Sequence, residues 1–341
     1  MKSNSGIKPE KCIAGIVIAA FITIVPIFTL IRMAMQGIPI SQYNMNIVGK
    51  FKLIGFNTKF TELVSGGEYM ESPSVLLGKD GWLFYKVDTD GTPLYDYMGI
   101  NRFSEDEMDG ICEGIGELQA KLAKTGIRSA ILTIPNKEQV YAGYMPETIE
   151  KISDISRLDQ LSQYVKADGR LKGYTDASGV LKAEADKLPL YYKTDTHWTG
   201  VGAYIALREV MNALYDDKEA YAAISGTVTD DGVVMDDGVR FIRTPGFEGD
   251  LARISSTSDR YTDVSYPVDP DSVPASDKKD ETLLIIGDSF GDSMQHIAGQ
   301  YYREVVFIQL NDYEDGDIYT YSPDTVIIEC VERYLPRLAG Y

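Results

Sequence analysis

Leu283-Leu284-Ile285-Ile286-Gly287-Asp288-Ser289-Phe290-Gly291 is the stretch whose reading decides the fold. Its apolar run shows no alternation, as in strands buried on both faces of a parallel sheet. The run passes straight into a glycine-bounded turn and then into a helical pattern from Ser289 to about Tyr302. Ligands of open parallel sheets bind beyond the carboxyl ends of the strands. A serine in this turn therefore stands at the mouth of the sheet, beside a helix N-terminus, with its own N–H where an oxyanion forms. Gly287 and Gly291 are expected to let the backbone turn tightly. A plainer role is open to the same letters, in which Asp288 or Ser289 only caps the helix.

The neighbouring segments follow the same plan. Ser104 to Ala123 reads as a helix: Ser104 and Glu107 form a capping box, and Met108, Ile111, Ile115, Leu118 and Leu122 make one apolar face. Gly126 supplies a stop. Ser129–Ile134 is a short buried strand, Thr199–Leu214 a second helix, and Val305–Ile308 and Thr325–Ile328 two more β-branched strands. Gly81-Trp82-Leu83-Phe84-Tyr85 opens a strand with aromatics suited to a pleated face. Residues 216–280, rich in Asp, Gly, Ser and Pro, read as loops and short strands. Short buried strands alternating with helices predict an α/β fold, with a parallel sheet covered by helices on both faces.

The chain of 341 residues is long enough to bury a core without disulfides. A net charge of -18 argues against nucleic acid as a partner, since phosphate binding needs clustered Lys and Arg. Of three cysteines, Cys12 lies in an apolar N-terminal run. Cys112 and Cys330 can form at most one internal disulfide and are expected as unpaired thiols; neither sits in a CxxC pattern.

Cys12 to Ile31 is an uncharged run of about 20 residues, the length of a bilayer-spanning helix. Lys2, Lys8 and Lys11 precede it and Arg32 follows, which predicts a cytoplasmic tail (1–11), a transmembrane anchor (12–31), a juxtamembrane connector (32–75) and an extracytoplasmic domain (76–341). A cleaved signal peptide is the competing reading; the stretch is long for one and no clear A-x-A site follows. Either way the body of the protein is exported, and the anchored form is a single-pass protein of the cell membrane.

A serine nucleophile needs a base and a group that orients the base. Only two histidines occur, His197 and His296. Asp195-Thr196-His197-Trp198 supplies both partners: in an extended stretch residues two apart share a side, so Asp195 and His197 converge while Trp198 faces away and packs. A structural, hydrogen-bonded His197 near a helix cap is the alternative. His296 lies seven residues after Ser289 on the same helix, about 10.5 Å along its axis, too far to take the serine proton, and is expected to be structural. No metal-ligand spacing is recognisable, and no cofactor is expected.

Several blocks together resemble the DHHW proteins and the periplasmic alginate O-acetyltransferase proteins of the SGNH hydrolase-like superfamily. They are Gly78–Phe84, Ile134–Tyr141 with its P-x-K segment, Thr194-Asp195-Thr196-His197-Trp198-Thr199, Gly249–Ala252, Gly287–Phe290 and the near-terminal Glu332-Arg333. Thr196 stands where those proteins have the first His of their name. The resemblance implies a flavodoxin-like sheet with circularly permuted block order and a triad of Ser289, His197 and Asp195. Of the Gly and Asn usual in the family's oxyanion hole, only Asn136 offers a candidate. The implied reaction is acyl transfer, of acetyl, to or from hydroxyls of a cell-surface or exported polysaccharide, with a membrane-bound O-acyltransferase partner supplying acyl groups. A carbohydrate acetyl esterase uses the same triad with water as acceptor. A non-catalytic glycan-binding or assembly subunit is possible on the same fold, because fold does not fix function.

Overall fold

A computed structural model describes residues 72–87, 92–147, 149–217, 221 and 224–340. Five strands, Arg128–Ile134 (β1), Tyr174–Asp176 (β2), Lys279–Gly287 (β3), Tyr302–Gln309 (β4) and Thr325–Val331 (β5), form a parallel sheet in the order β4-β3-β5-β1-β2. The main helices around it are Glu105–Lys124 (α1), Arg157–Asp168 (α2), Gly200–Tyr215 (α3) and Ser289–Tyr301 (α4).

The apolar run of β3 explains the two layers. Successive strand residues point to opposite faces. Leu283 and Ile285 pack in one core with α3 and α4, whereas Leu284 and Ile286 pack in the other with α1 and α2. All four side chains are fully buried, and burial of each contributes roughly 1.5–3 kcal/mol. The helices sit where their apolar faces dictate: α1 buries Met108, Ile111, Ile115, Leu118 and Leu122, begins at the Ser104–Glu107 capping box, and is followed by Gly126 at φ +80°. Cys112 and Cys330 are free and buried within the α1–α2 core.

Two elements leave little trace in the sequence. Helix α2 opens with a second capping box, Ser156 with Asp159, but its apolar residues are few. Strand β2 is only three residues long and too polar to show a pattern. Residues 216–280 do form short strands: Gly226–Thr229, Gly232–Met235 and Arg240–Ile242 make an antiparallel sheet, and Thr244–Phe247 pairs with Asp263–Ser265. Val75–Leu77 and Leu83–Tyr85 form a further antiparallel pair.

The tail, the apolar run Cys12–Ile31 and the connector up to residue 71 lie outside the described residues. Among the described residues no helix is long and apolar enough to cross a membrane.

Candidate active site

The turn after β3 is held from beneath by β5. Asp288 caps α4: its Oδ1 accepts from the Phe290 N–H at 2.9 Å, and its Oδ2 accepts from the Val331 N–H at 2.8 Å. Glu329, fully buried on β5, accepts through Oε2 from the N–H groups of Asp288 at 3.0 Å and Gly291 at 2.8 Å. The two glycines are needed for this carboxyl and not for a tight turn, since neither has a positive φ. A Cβ at Gly287 would strike Glu329 Oε2, and one at Gly291 would lie 2.7 Å from it. Burial, reinforced by the neighbouring Asp288, raises the Glu329 carboxyl well above the usual range. Of the N–H groups from Asp288 to Gly291, that of Ser289 alone has no acceptor among the described residues.

Ser289 Oγ lies 2.7 Å from His197 Nε2, and His197 Nδ1 lies 2.7 Å from Asp195 Oδ1. The three sequence-predicted residues thus meet in one hydrogen-bonded chain, but not through an extended strand. Residues 192–197 form a bent loop closed by an antiparallel bridge between Tyr191 and Trp198 and by Tyr192 N–H to His197 O at 3.2 Å. Asp195 Oδ1 also accepts from the His197 N–H at 2.9 Å, an Asx-type turn that orients ring and carboxylate together. Burial works to raise the Asp195 carboxyl. The hydrogen bond and charge of His197, with the N–H groups of Asp250 and His197, outweigh it and hold it at about 2.

The loop has two supports, each from a block of the resemblance whose role the sequence left open. Lys137, of the P-x-K segment, is buried, and its Nζ donates to the carbonyls of Tyr192 at 3.1 Å, Lys193 at 3.3 Å and Asp195 at 2.6 Å. Burial lowers its pKa to about 8 against the pull of Glu138, Asp250 and Asp195. Asp250 accepts from Thr196 N–H at 2.8 Å and Thr196 Oγ at 2.6 Å, and its own N–H donates to Asp195 Oδ2 at 2.7 Å. Gly249 precedes it because a Cβ there would collide with the Thr194 carbonyl. Ligand atoms of Asp195, His197 and Asp250 lie within 4.8 Å of one another. Every one of these carboxylate oxygens already accepts from an N–H or O–H, so the set reads as a hydrogen-bonded scaffold for the imidazole.

A cavity of about 530 Å³ opens at Ser289 and His197, walled by Tyr192, Phe247, Tyr266 and Trp198. Trp198 packs, but it does not face away from the site: its indole meets Phe290 edge-on at 5.1 Å and donates to Ser293 Oγ at 2.5 Å on the nucleophile helix. His296 is exposed and borders the same cavity, one helix face along from Ser289 and Asp292, so it is not a packed structural histidine. Asn136 is fully buried and donates through Nδ2 to Asp96 Oδ2 at 3.1 Å; it does not reach the cavity. Glu332 and Arg333 lie behind the site. Glu332 accepts from the N–H groups of Asn136 and Leu158, and the Arg333 guanidinium stands 5.2 Å over the Phe290 ring.

Comparison with known proteins gives a consistent likeness. Residues 75–300, about two-thirds of the chain, match the family described as "SGNH hydrolase-like domain, acetyltransferase AlgX". The protein named probable alginate O-acetylase AlgJ of Pseudomonas aeruginosa is 30% identical over 137 residues, covering 38% of this chain and 30% of that protein. Its namesake from Pseudomonas syringae pv. tomato is 26% identical over 144 residues, covering 42% and 34%. The matched part thus spans about a third of the length of these curated relatives. Among solved structures, the O-acetyltransferase domain of Pseudomonas putida AlgJ is 19% identical, covering 77% of this chain and 92% of that one, with a TM-score of 0.49. A DHHW family protein from Eubacterium siraeum is 15% identical, covering 79% and 98%, with a TM-score of 0.48.

Proposed function

Because the chain belongs to the family of SGNH hydrolase-like, AlgX-type acetyltransferase domains, we propose that it transfers an acetyl group to hydroxyls of a polysaccharide through a Ser289-His197-Asp195 triad. One observation carries the reading: Ser289 Oγ, His197 and Asp195 are linked at 2.7 Å each, at the mouth of an aromatic-walled cavity. Nucleophile, base and orienter each have a named partner, which favours catalysis over a purely glycan-binding subunit.

In the first half-reaction Ser289 Oγ attacks the donor's acyl carbon and gives its proton to His197 Nε2. The Ser289 N–H, which no other group among the described residues claims, and the N-terminus of α4 supply donors for the developing oxyanion. Nε2–H then protonates the departing donor oxygen, leaving an acetyl ester on Ser289. In the second half, His197 takes the proton of an acceptor hydroxyl as that oxygen attacks the ester, and returns it to Ser289 Oγ. Asp195, ionised down to about pH 2, keeps the imidazole in the Nδ1–H tautomer and stabilises the imidazolium. Lys137 and Asp250 act as positioning residues, through the loop that carries both groups. Water in place of the sugar hydroxyl gives the esterase reaction by the same steps.

The apolar run Cys12–Ile31 with its basic flank supports a single-pass anchor and an extracytoplasmic domain, which protease treatment of intact cells tests. The family likeness brings with it a membrane-bound O-acyltransferase partner as acyl source; copurification from membranes tests that.

The reaction is tested with a chromogenic acetyl ester, with and without a glycan acceptor. Ser289→Ala and His197→Ala should each lower turnover by at least ~10³-fold, and the double variant by little more, because the pair acts as a unit. Unchanged turnover in both single variants would refute the catalytic reading.

A further inference from the structure

The cavity at Ser289 has a charge pattern that bears on its acceptor. Among the described residues that line it there is no lysine or arginine. Its carboxylate and imidazole side chains are Asp195, His197, Asp292 and His296. Asp195 is committed to His197 and Asp250. Asp292 is exposed on the face of α4 that follows Ser289, takes a hydrogen bond from Gln295, and makes no ion pair among the described residues. The whole chain carries a net charge of -18.

A second cavity of about 330 Å³ shares Thr199 and Tyr266 with the first, so that Tyr266 stands between them. Its charged lining is balanced, Asp186 and Asp263 against Lys187 and Lys193. Lys187 is already paired with Glu184 at 2.9 Å, and Lys193 Nζ lies over the Trp82 ring at 5.8 Å. Trp82 borders this cavity, is 4% exposed, and its Nε1–H has no acceptor among the described residues. A buried indole N–H without a partner is costly, and a hydroxyl of a bound ligand would satisfy it.

Resting on the acyl-transfer reading above, we infer that the acceptor is a polysaccharide without carboxylates, with one sugar in the Ser289 cavity and the next beside Trp82, and that polyuronates are excluded. Sugar rings present C–H faces to aromatic walls and hydroxyls to polar groups, which is what Tyr192, Phe247, Tyr266, His296 and Trp82 offer. The uronate at Ser289 would bring its carboxylate to a lining without lysine or arginine and beside Asp292, where like charges repel. This separates the chain from the relatives named for alginate, which is a polyuronate.

Binding to the full chain carrying Ser289→Ala tests the inference apart from catalysis, because it needs no turnover. Titration calorimetry in low salt compares a neutral hexose hexamer with a mannuronate hexamer. The neutral oligomer should bind at least ~10-fold tighter than the mannuronate. Adding Asp292→Lys should narrow the gap to the uronate several-fold. Adding Trp82→Phe, which keeps a ring and removes the N–H, should weaken the neutral hexamer several-fold and leave a monosaccharide unaffected. Equal or tighter binding of the uronate oligomer overturns the inference, as does an unaltered affinity in both added variants. Ester turnover left unchanged by Ser289→Ala and His197→Ala, with these affinities as expected, would instead count against the acyl-transfer reading alone.

Discussion

Glu329 shows how one buried side chain governs the nucleophile. Its Oε2 gathers the N–H groups on either side of Ser289, from Asp288 and Gly291. Removing an acceptor from buried N–H groups costs about 1–3 kcal/mol for each group orphaned. Glu329→Ala should therefore lower stability by roughly 2–5 kcal/mol, and acyl transfer by at least ~10-fold as the turn loosens. Glu329→Gln should keep most of both. Burial raises the carboxyl and so favours its neutral form, and an amide oxygen can accept both N–H groups. Chromogenic-ester kinetics and urea midpoints of the two variants check this. A Gln variant as damaged as the Ala variant would show that the charge of Glu329, rather than its shape, is what matters.

Helix α4 carries glycines of two kinds. Gly291 faces Glu329 Oε2, Ile285 and Phe307, with a Cβ contact of 2.7 Å to the first. Gly299, two turns on, has nothing within 4 Å of a built Cβ. Overpacking at the first costs about 1–3 kcal/mol, while alanine at an open helical position gains roughly 0.5–1 kcal/mol. Gly291→Ala should thus unfold more easily than wild type and lose activity, and Gly299→Ala should unfold less easily and keep it. Denaturant titrations of both decide the matter; the same sign at both positions would break the packing account. The contrast also says why a local reading of Gly287 and Gly291 as turn residues falls short: the demand on them comes from β5, a strand about 40 residues away in the chain.

Across the whole domain, ionisation sets a pH dependence of stability. Burial, only partly offset by Arg157, raises the Asp96 carboxyl to about 6; burial, with the help of Asp96, raises Glu332 to about 7. An acid whose folded pKa exceeds its unfolded value of about 4 favours folding fully only below that value. As pH rises through 4 to 7 the unfolded chain releases these protons first, and that contribution is lost. Asp195 has the opposite sign, being held at about 2, but its contribution is lost only as pH falls below about 4, outside this window. The thermal midpoint should therefore fall by roughly 5 °C between pH 5 and pH 8. Calorimetry at fixed ionic strength measures it, and a midpoint that climbs over this range would contradict the assignment.

Much of this architecture is written in short-range pattern. Buried strands, the Ser104–Glu107 box and the strand-turn-helix around Ser289 follow from periodicity and capping, which act over a few residues. The scarcity of histidine by itself narrows the base to His197 or His296. The resemblance block Gly249–Ala252 points at Asp250 without telling its role. Folding alone decided the rest, because it joins groups far apart in sequence: His197 to Ser289 across 92 residues, Thr196 to Asp250 across 54, and Lys137 to the Asp195 carbonyl across 58. It also put His296 at the rim of the cavity and Asn136 behind it, since the exposure of a polar side chain depends on what packs against its element and not on its neighbours in the chain.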